Sequence, residues 1–197
     1  MNLVRKVLKR IINWFRFRKQ LKDFARQAAE SGGDVIRKIE RFPIFGEDTA
    51  VTDFDRHYVY HTAWAARVIA STKPLEHVDI GSSLYFAAIA SAFCPVRFYD
   101  FRPPELYLPN LRLGSCDLTN LDFDDNSVGS LSCMHVVEHI GLGRYGDAID
   151  FQGDQRAIAE LRRVTKPSGH LLFVVPIGQD RIQFNAHRIY ACDQVVS

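Results

Sequence analysis

His77-Val78-Asp79-Ile80-Gly81-Ser82-Ser83 is the stretch on which the fold turns. It reads as a short buried strand running into a turn of small residues. Gly81 has no Cβ, so backbone N–H groups at such a turn can approach a ligand closely. Two further acids stand at telling distances. Asp100 ends the apolar run Val96-Arg97-Phe98-Tyr99-Asp100, about 20 residues on, where a nucleotide-binding sheet carries its ribose-reading carboxylate. Asp117 follows Leu113-Gly114-Ser115-Cys116, a third strand-like segment. Three acids at three successive strand ends describe a nucleoside pocket on a parallel sheet.

Outward from this stretch, strand and helix patterns alternate. The spacing predicts a helix over 56–70 packing through Ala63, Ala66, Val68 and Ile69, then strand 77–81, helix 84–92, and strands 96–100, 111–116 and 128–134. A helix over 152–164, a strand over 170–175 and a helix start near 191 follow. Val164-Thr165-Lys166-Pro167-Ser168-Gly169 reads as a helix stop and turn. This alternation implies a doubly wound α/β sheet, its strands parallel and covered on both faces.

The chain of 197 residues is 47% apolar and 24% charged, with a net charge of +2. That charge is uneven. Residues 1–26 hold nine Lys and Arg against one acid, Asp23, which leaves −6 on the remainder. Over residues 3–26, Val4, Val7, Leu8, Ile11 and Phe15 recur at helical spacing opposite a basic face. The expectation is a basic amphipathic helix within residues 1–30, lying on an anionic membrane surface or docked on protein. Residues 31–55 then form a linker and loop, and 56–197 the α/β domain. The acidic body argues against nucleic acid as a partner. Cys94, Cys116, Cys133 and Cys192 form no CxxC pair, which fits a reduced, cytoplasmic compartment with no metal knuckle.

The order of these pieces resembles the class I S-adenosylmethionine-dependent methyltransferases over residues 56–197. Val78-Asp79-Ile80-Gly81-Ser82-Ser83 is similar to their first glycine motif, although Leu84-Tyr85 stands near the usual third glycine. Asp100 matches the ribose acid, and Gly114-Ser115-Cys116-Asp117-Leu118 the adenine segment. Ser132-Cys133-Met134-His135-Val136-Val137-Glu138-His139-Ile140 resembles the fourth-strand motif. Glu160-Leu161-Arg162-Arg163-Val164-Thr165-Lys166-Pro167-Ser168-Gly169 resembles the run before the fifth strand. The string from His135 to Asp147 is also similar to a bacterial branch of unknown function.

The resemblance implies S-adenosylmethionine as cofactor, held by Asp79, Gly81, Ser82, Ser83, Asp100, Asp117, Leu118, His135 and Glu138. It also implies a Rossmann-like sheet that normally ends in an antiparallel pair, which this sequence does not supply. A sheet short of those C-terminal strands would offer an edge to a partner, including a second copy of the chain. The implied reaction is O-methylation of a small-molecule, glycan or lipid-linked acceptor. His139, His61 and His187 are the candidate bases, since imidazole titrates near neutrality. With the basic helix, this suggests peripheral attachment at the inner membrane face.

Other readings compete. A degenerate methyltransferase fold acting as scaffold or membrane adaptor is the alternative. A nicotinamide dehydrogenase lacks its Gly-x-Gly-x-x-Gly here. His135-x-x-Glu138-His139 also matches an inverted zinc-protease motif, but no metal is expected, because the sole later Glu is Glu160.

Overall fold

The computed structural model describes residues 2–31 and 39–196. Residues 32–38 of the predicted linker lie outside them. The chain divides into two units, 1–54 and 55–197.

In the first unit, α1 (Asn2–Glu30) is one continuous helix, a turn longer than its apolar periodicity predicts. Trp14 and Phe17 stack at 5.7 Å and both meet Phe45 edge-on, at 6.5 and 6.3 Å. Arg16 pairs with Asp48. The rest of the apolar stripe stays exposed: Val4, Val7, Leu8, Ile11 and Phe15 all face outward, Phe15 by 66%. No described helix is long and apolar enough to cross a membrane.

In the second unit, α2 (Arg56–Thr72) opens with Asp55 accepting the Tyr58 N–H at 3.0 Å. That bond satisfies one of the free donors of the first turn. Its inward stripe is His61, Ala65 and Ile69, at four-residue steps. Ala63, predicted to pack inward, is only half-buried, because it stands two positions off this stripe.

Then follow β1 (His77–Ile80), α3 (Leu84–Ala90), β2 (Val96–Asp100), β3 (Leu111–Ser115), β4 (Val128–Met134), a 3-10 turn (Val137–His139), α4 (Gly153–Val164) and β5 (Thr165–Val174). The five strands lie in the order β3-β2-β1-β4-β5, and every pairing is parallel. Chain order reverses between β1 and β4, the switch point where open α/β sheets bind ligands beyond their strand ends.

Both faces of the sheet are covered. Val78, Ile80, Leu131, Cys133, Leu161 and Val164 pack together on one side. Ala65, Ile69, Phe86, Val96, Phe98 and Met134 pack on the other. Each such side chain contributes about 1.5–3 kcal/mol by leaving water.

Two segments differ from their sequence patterns. Thr165–Gly169, read as a turn, already belongs to β5: Thr165 sits opposite Val128 and His170 opposite Ser130, around a bulge. Gly169 fits there because a Cβ would stand 2.9 Å from the Gly129 carbonyl oxygen. The stretch between β5 and the helix near 191 also carries strands that its pattern does not predict. β6 (Arg181–Gln183) and β7 (His187–Ile189) make a separate two-stranded ribbon, followed by α5 (Cys192–Val196). The main sheet itself stops at β5.

Candidate functional site

A cavity of about 320 Å3 opens beyond the carboxyl ends of β1 to β4. Gly81 forms its floor. The Gly81 N–H donates to the Tyr99 carbonyl at 2.7 Å, and its φ of +66° is one that residues with a Cβ rarely adopt. A Cβ here would stand 3.1 Å from Val136 and 3.8 Å from the Asp100 carboxylate. The turn is therefore tight against Val136 and in ordinary contact with Asp100.

Asp100 and Asp117 line the same cavity, and each commits one oxygen to its own turn. Asp100 Oδ1 accepts the Arg102 N–H at 2.8 Å. Asp117 Oδ1 accepts the Thr119 N–H at 2.8 Å and its hydroxyl at 2.7 Å. In each carboxylate Oδ2 carries no such bond, leaving an acceptor for hydroxyl or amine hydrogens. Leu118 supplies an apolar wall. Cys116 lines the cleft too, but burial pushes its thiol up to about 12, so it stays protonated at neutral pH.

Not every candidate reaches the cleft. Asp79 is fully buried behind the turn. Its Oδ1 takes the Ser82 N–H at 3.1 Å and its Oδ2 the Ser132 hydroxyl. Ser132 in turn bonds His77 Nε2 at 2.8 Å, and His77 Nδ1 meets Ser130 at 2.7 Å. Burial raises Asp79 to about 7, against the hydrogen bonds that favour its charged form, and lowers His77 to about 4. The Ser82 hydroxyl accepts the Met134 N–H at 3.0 Å, and Ser83 precedes α3 without a side-chain cap bond. Asp79 and Ser82 thus tie β1 to β4 and shape the turn from behind.

The segment after β4 carries two histidines, His135 before the 3-10 turn and His139 at its end. His135 stands at φ +61° and lines the cavity. Its Nδ1 meets Glu138 Oε1 at 2.9 Å, with Glu138 buried beneath it. His139 also lines the cavity. Its Nδ1–H donates to the Ala186 carbonyl at 2.7 Å, which fixes the tautomer and leaves the Nε2 lone pair as an acceptor. Burial lowers its pKa, so the ring is a neutral base. His187, at the start of β7, faces His139 ring to ring at 6.2 Å. His61 lies against His135 at 4.9 Å between ring centres. Among the described residues no group of three His, Cys, Asp or Glu side chains is placed to hold a metal ion.

The glycine loop Gly141–Gly146 is pinned. Asp147 Oδ2 accepts the N–H groups of Gly141 at 2.8 Å and Gly143 at 3.2 Å, and its Oδ1 takes Tyr145 at 3.1 Å. Burial alone would raise this carboxyl, but these bonds outweigh it and lower the pKa. A Cβ on Gly141 would collide with the Asp150 carbonyl oxygen. From β7, buried Arg188 donates to the carbonyls of Ile140 at 2.6 Å and Phe151 at 3.2 Å and pairs with Asp154 at 3.4 Å. Tyr145 borders the cleft with the Arg102 guanidinium over its ring at 5.0 Å. The sequence pattern singled out neither Arg102 nor the bracing role of Arg188.

The Glu160–Arg163 motif has a structural task. Arg163 grips both Glu160 oxygens at 2.8 Å and the carbonyls of Leu121 and Phe123, holding the loop after Asp117.

The sequence profile of a family described as "Caenorhabditis protein of unknown function, DUF268" matches residues 120–195. No curated protein matches the chain by sequence. Among solved structures, the chain is similar to the Burkholderia thailandensis 1,6-didemethyltoxoflavin-N1-methyltransferase with bound 1,6-didemethyltoxoflavin and S-adenosylhomocysteine. That likeness has 13% identity and a TM-score of 0.50, and covers 92% of this chain and 75% of the other. It is also similar to the YcgJ protein of Bacillus, at 19% identity and TM-score 0.40 over 55% of this chain and 49% of that one. A putative sarcosine dimethylglycine methyltransferase from Galdieria sulphuraria follows, at 16% identity and TM-score 0.43 over 57% and 44%. The chain spans about half the length of these last two. The first likeness shows the fold: a Rossmann-like α/β sheet of the methyltransferase type.

Proposed function

We propose that this chain is an S-adenosylmethionine-dependent methyltransferase. One observation carries the reading: Gly81, Asp100 and Asp117 meet at one cavity, each carboxylate keeping an oxygen free of its own turn. The residues fit the cofactor. The Gly81 turn admits close backbone approach, Asp100 Oδ2 suits a ribose hydroxyl, Asp117 suits the adenine amine, and Leu118 offers an apolar ring contact. The same fold in an enzyme carrying S-adenosylhomocysteine supports the choice of cofactor. When bound, that cofactor supplies an activated methyl group. The protein's share is then alignment and exclusion of water, through the turn, the Asp147-pinned loop and the ribbon carrying Ala186.

The acceptor in this reading is a hydroxyl on a small molecule, glycan or lipid-linked saccharide. His139, its Nδ1 held by the Ala186 carbonyl, is one of the cleft histidines suited to proton removal. Attachment to anionic membrane through α1 belongs to the same reading. Its support is the exposed apolar stripe together with the +8 charge of residues 1–26. The test is thermal unfolding of the full chain with S-adenosylhomocysteine, NAD or ATP. At 100 times its dissociation constant a true ligand stabilises by about 2.7 kcal/mol. A raised midpoint with S-adenosylhomocysteine alone supports the reading, and a rise with NAD alone points to a dehydrogenase.

A further inference from the structure

Three buried acceptor atoms without a hydrogen-bond partner belong to one cluster: Nε2 of His61, Nε2 of His135 and Oε2 of Glu138. The two other such atoms among the described residues lie in ion pairs, Arg97 with Glu76 and Asp150 with Arg156. Buried polar groups are ordinarily satisfied, so three together need a cause.

Tautomers sharpen the point. His61 Nδ1–H donates to the His57 carbonyl at 2.7 Å, so its Nε2 holds a lone pair. His135 Nδ1–H donates to Glu138, so its Nε2 holds one as well. Glu138 is a buried carboxylate whose sole ion-pair partner among the described residues is His135. All three atoms can accept, and among the described residues none donates to them. His135 is, moreover, held at a positive φ, a backbone state that survives where a site demands it.

The location completes the argument. His135 lines the cleft on one side. On its other side it packs against His57 at 4.3 Å and His61 at 4.9 Å, from the first two turns of α2. The outer faces of those two rings line an open depression with Trp64. His135 is thus the partition between the cleft and the α2 surface.

We propose that His135, oriented by Glu138, receives the hydroxyl of the methyl acceptor at the cleft and acts as its general base. This rests on the methyltransferase reading above, and it moves the base from His139 to His135. The O–H bond breaks, the proton passes to Nε2, and the electron pair stays on the acceptor oxygen as the nucleophile. Glu138 then balances the imidazolium, the role that a buried carboxylate plays behind a catalytic histidine. His139 Nδ1 is instead held by the neutral Ala186 carbonyl, not by a carboxyl group. Glu138 is a positioning residue. His61 Nε2 adds a second acceptor beside the entering group.

The test uses the full chain, first saturated with S-adenosylhomocysteine by calorimetry. It is then titrated at fixed pH with 4-nitrophenol, or with 4-nitroanisole, which lacks the O–H. Proton transfer raises the nitrophenolate absorbance above that of the same addition to buffer at that pH, and only this excess counts as the rise, while two-bond 1H–15N NMR reports the His135 tautomer. The expected result is an Nδ1–H tautomer before addition, a rise with 4-nitrophenol alone, and loss of the rise in His135→Asn. Asn tolerates the positive φ, so this variant keeps the turn. Glu138→Gln should weaken the response roughly tenfold, the worth of one charge-assisted hydrogen bond.

An Nε2–H tautomer in the unmodified chain, no rise despite bound S-adenosylhomocysteine, or an undiminished rise in His135→Asn overturns the proposal alone. Failure to bind S-adenosylhomocysteine overturns the methyltransferase reading, and this proposal with it.

Discussion

A side chain begun on Gly81 would start 3.8 Å from Asp100 Oδ2 and 3.1 Å from Val136 Cγ1. The turn after β1 thus faces the acid after β2 at ordinary contact distance, while Val136 closes the space for a side chain from the other direction. Gly81→Ala should lower S-adenosylhomocysteine affinity at least tenfold and destabilise the fold by about 1 kcal/mol or more from its positive φ. Adding Val136→Ala relieves the contact but not the φ, so calorimetry should find recovery in part. Wild-type affinity in Gly81→Ala would contradict the role given to the turn.

Asp79 predicts a pH signature. Its folded pKa of about 7 lies above the ordinary value of 3.8, so its protonated form favours the fold. Its contribution is full below pH 4 and is lost as pH rises to about 7. Asp79→Asn retains the acceptor for Ser82 and removes the titration. Urea unfolding from pH 4 to 8 should show wild type losing stability relative to this variant by on the order of a few kcal/mol. His77 runs the other way, destabilising as pH falls from 6.5 towards 4. A parallel pH dependence of the two proteins would sink the assignment.

Asp147 pins the glycine loop through three N–H groups. Asp147→Ala should speed amide exchange across 141–147 at least tenfold while exchange in β1 and β4 stays unchanged. It should also raise the off-rate of S-adenosylhomocysteine. Because the folded pKa is lowered from the ordinary carboxylate value, this brace holds at neutral pH and is lost as pH falls through that lowered pKa.

Much of this was legible in the sequence. Parallel strands covered on both faces read as short segments rich in β-branched and other apolar residues bounded by turn signals, which is why β1, β2 and β4 stand where their patterns put them. Gly81, Asp100 and Asp117 reach one cavity because strand-end acids in a parallel sheet face the same side.

What was hidden depends on distant partners. Asp79 looks like a ligand residue in isolation, yet Ser132, which meets it, lies 53 residues away. Arg188 braces carbonyls 37 and 48 residues back. The three-residue strands β6 and β7 are too short to show alternation.

The exposed stripe of α1 predicts binding to anionic vesicles that weakens as salt rises and persists in part through the apolar face. Each basic residue contributes about 1 kcal/mol at best. Co-sedimentation of the full chain against a form lacking residues 1–30 should show the loss. Equal partitioning of the two forms would exclude the helix as anchor.

The most direct test of the central claim is calorimetric titration of S-adenosylhomocysteine into wild type, Asp100→Ala and Asp117→Ala. Each carboxylate should be worth about 1–3 kcal/mol, since its loss strands a ribose hydroxyl or an adenine amine without an acceptor. The account predicts saturable one-to-one binding by wild type and weakening of roughly 5- to 150-fold in each variant. Unchanged affinity in both variants, or tight binding of NAD with none of S-adenosylhomocysteine, would contradict it.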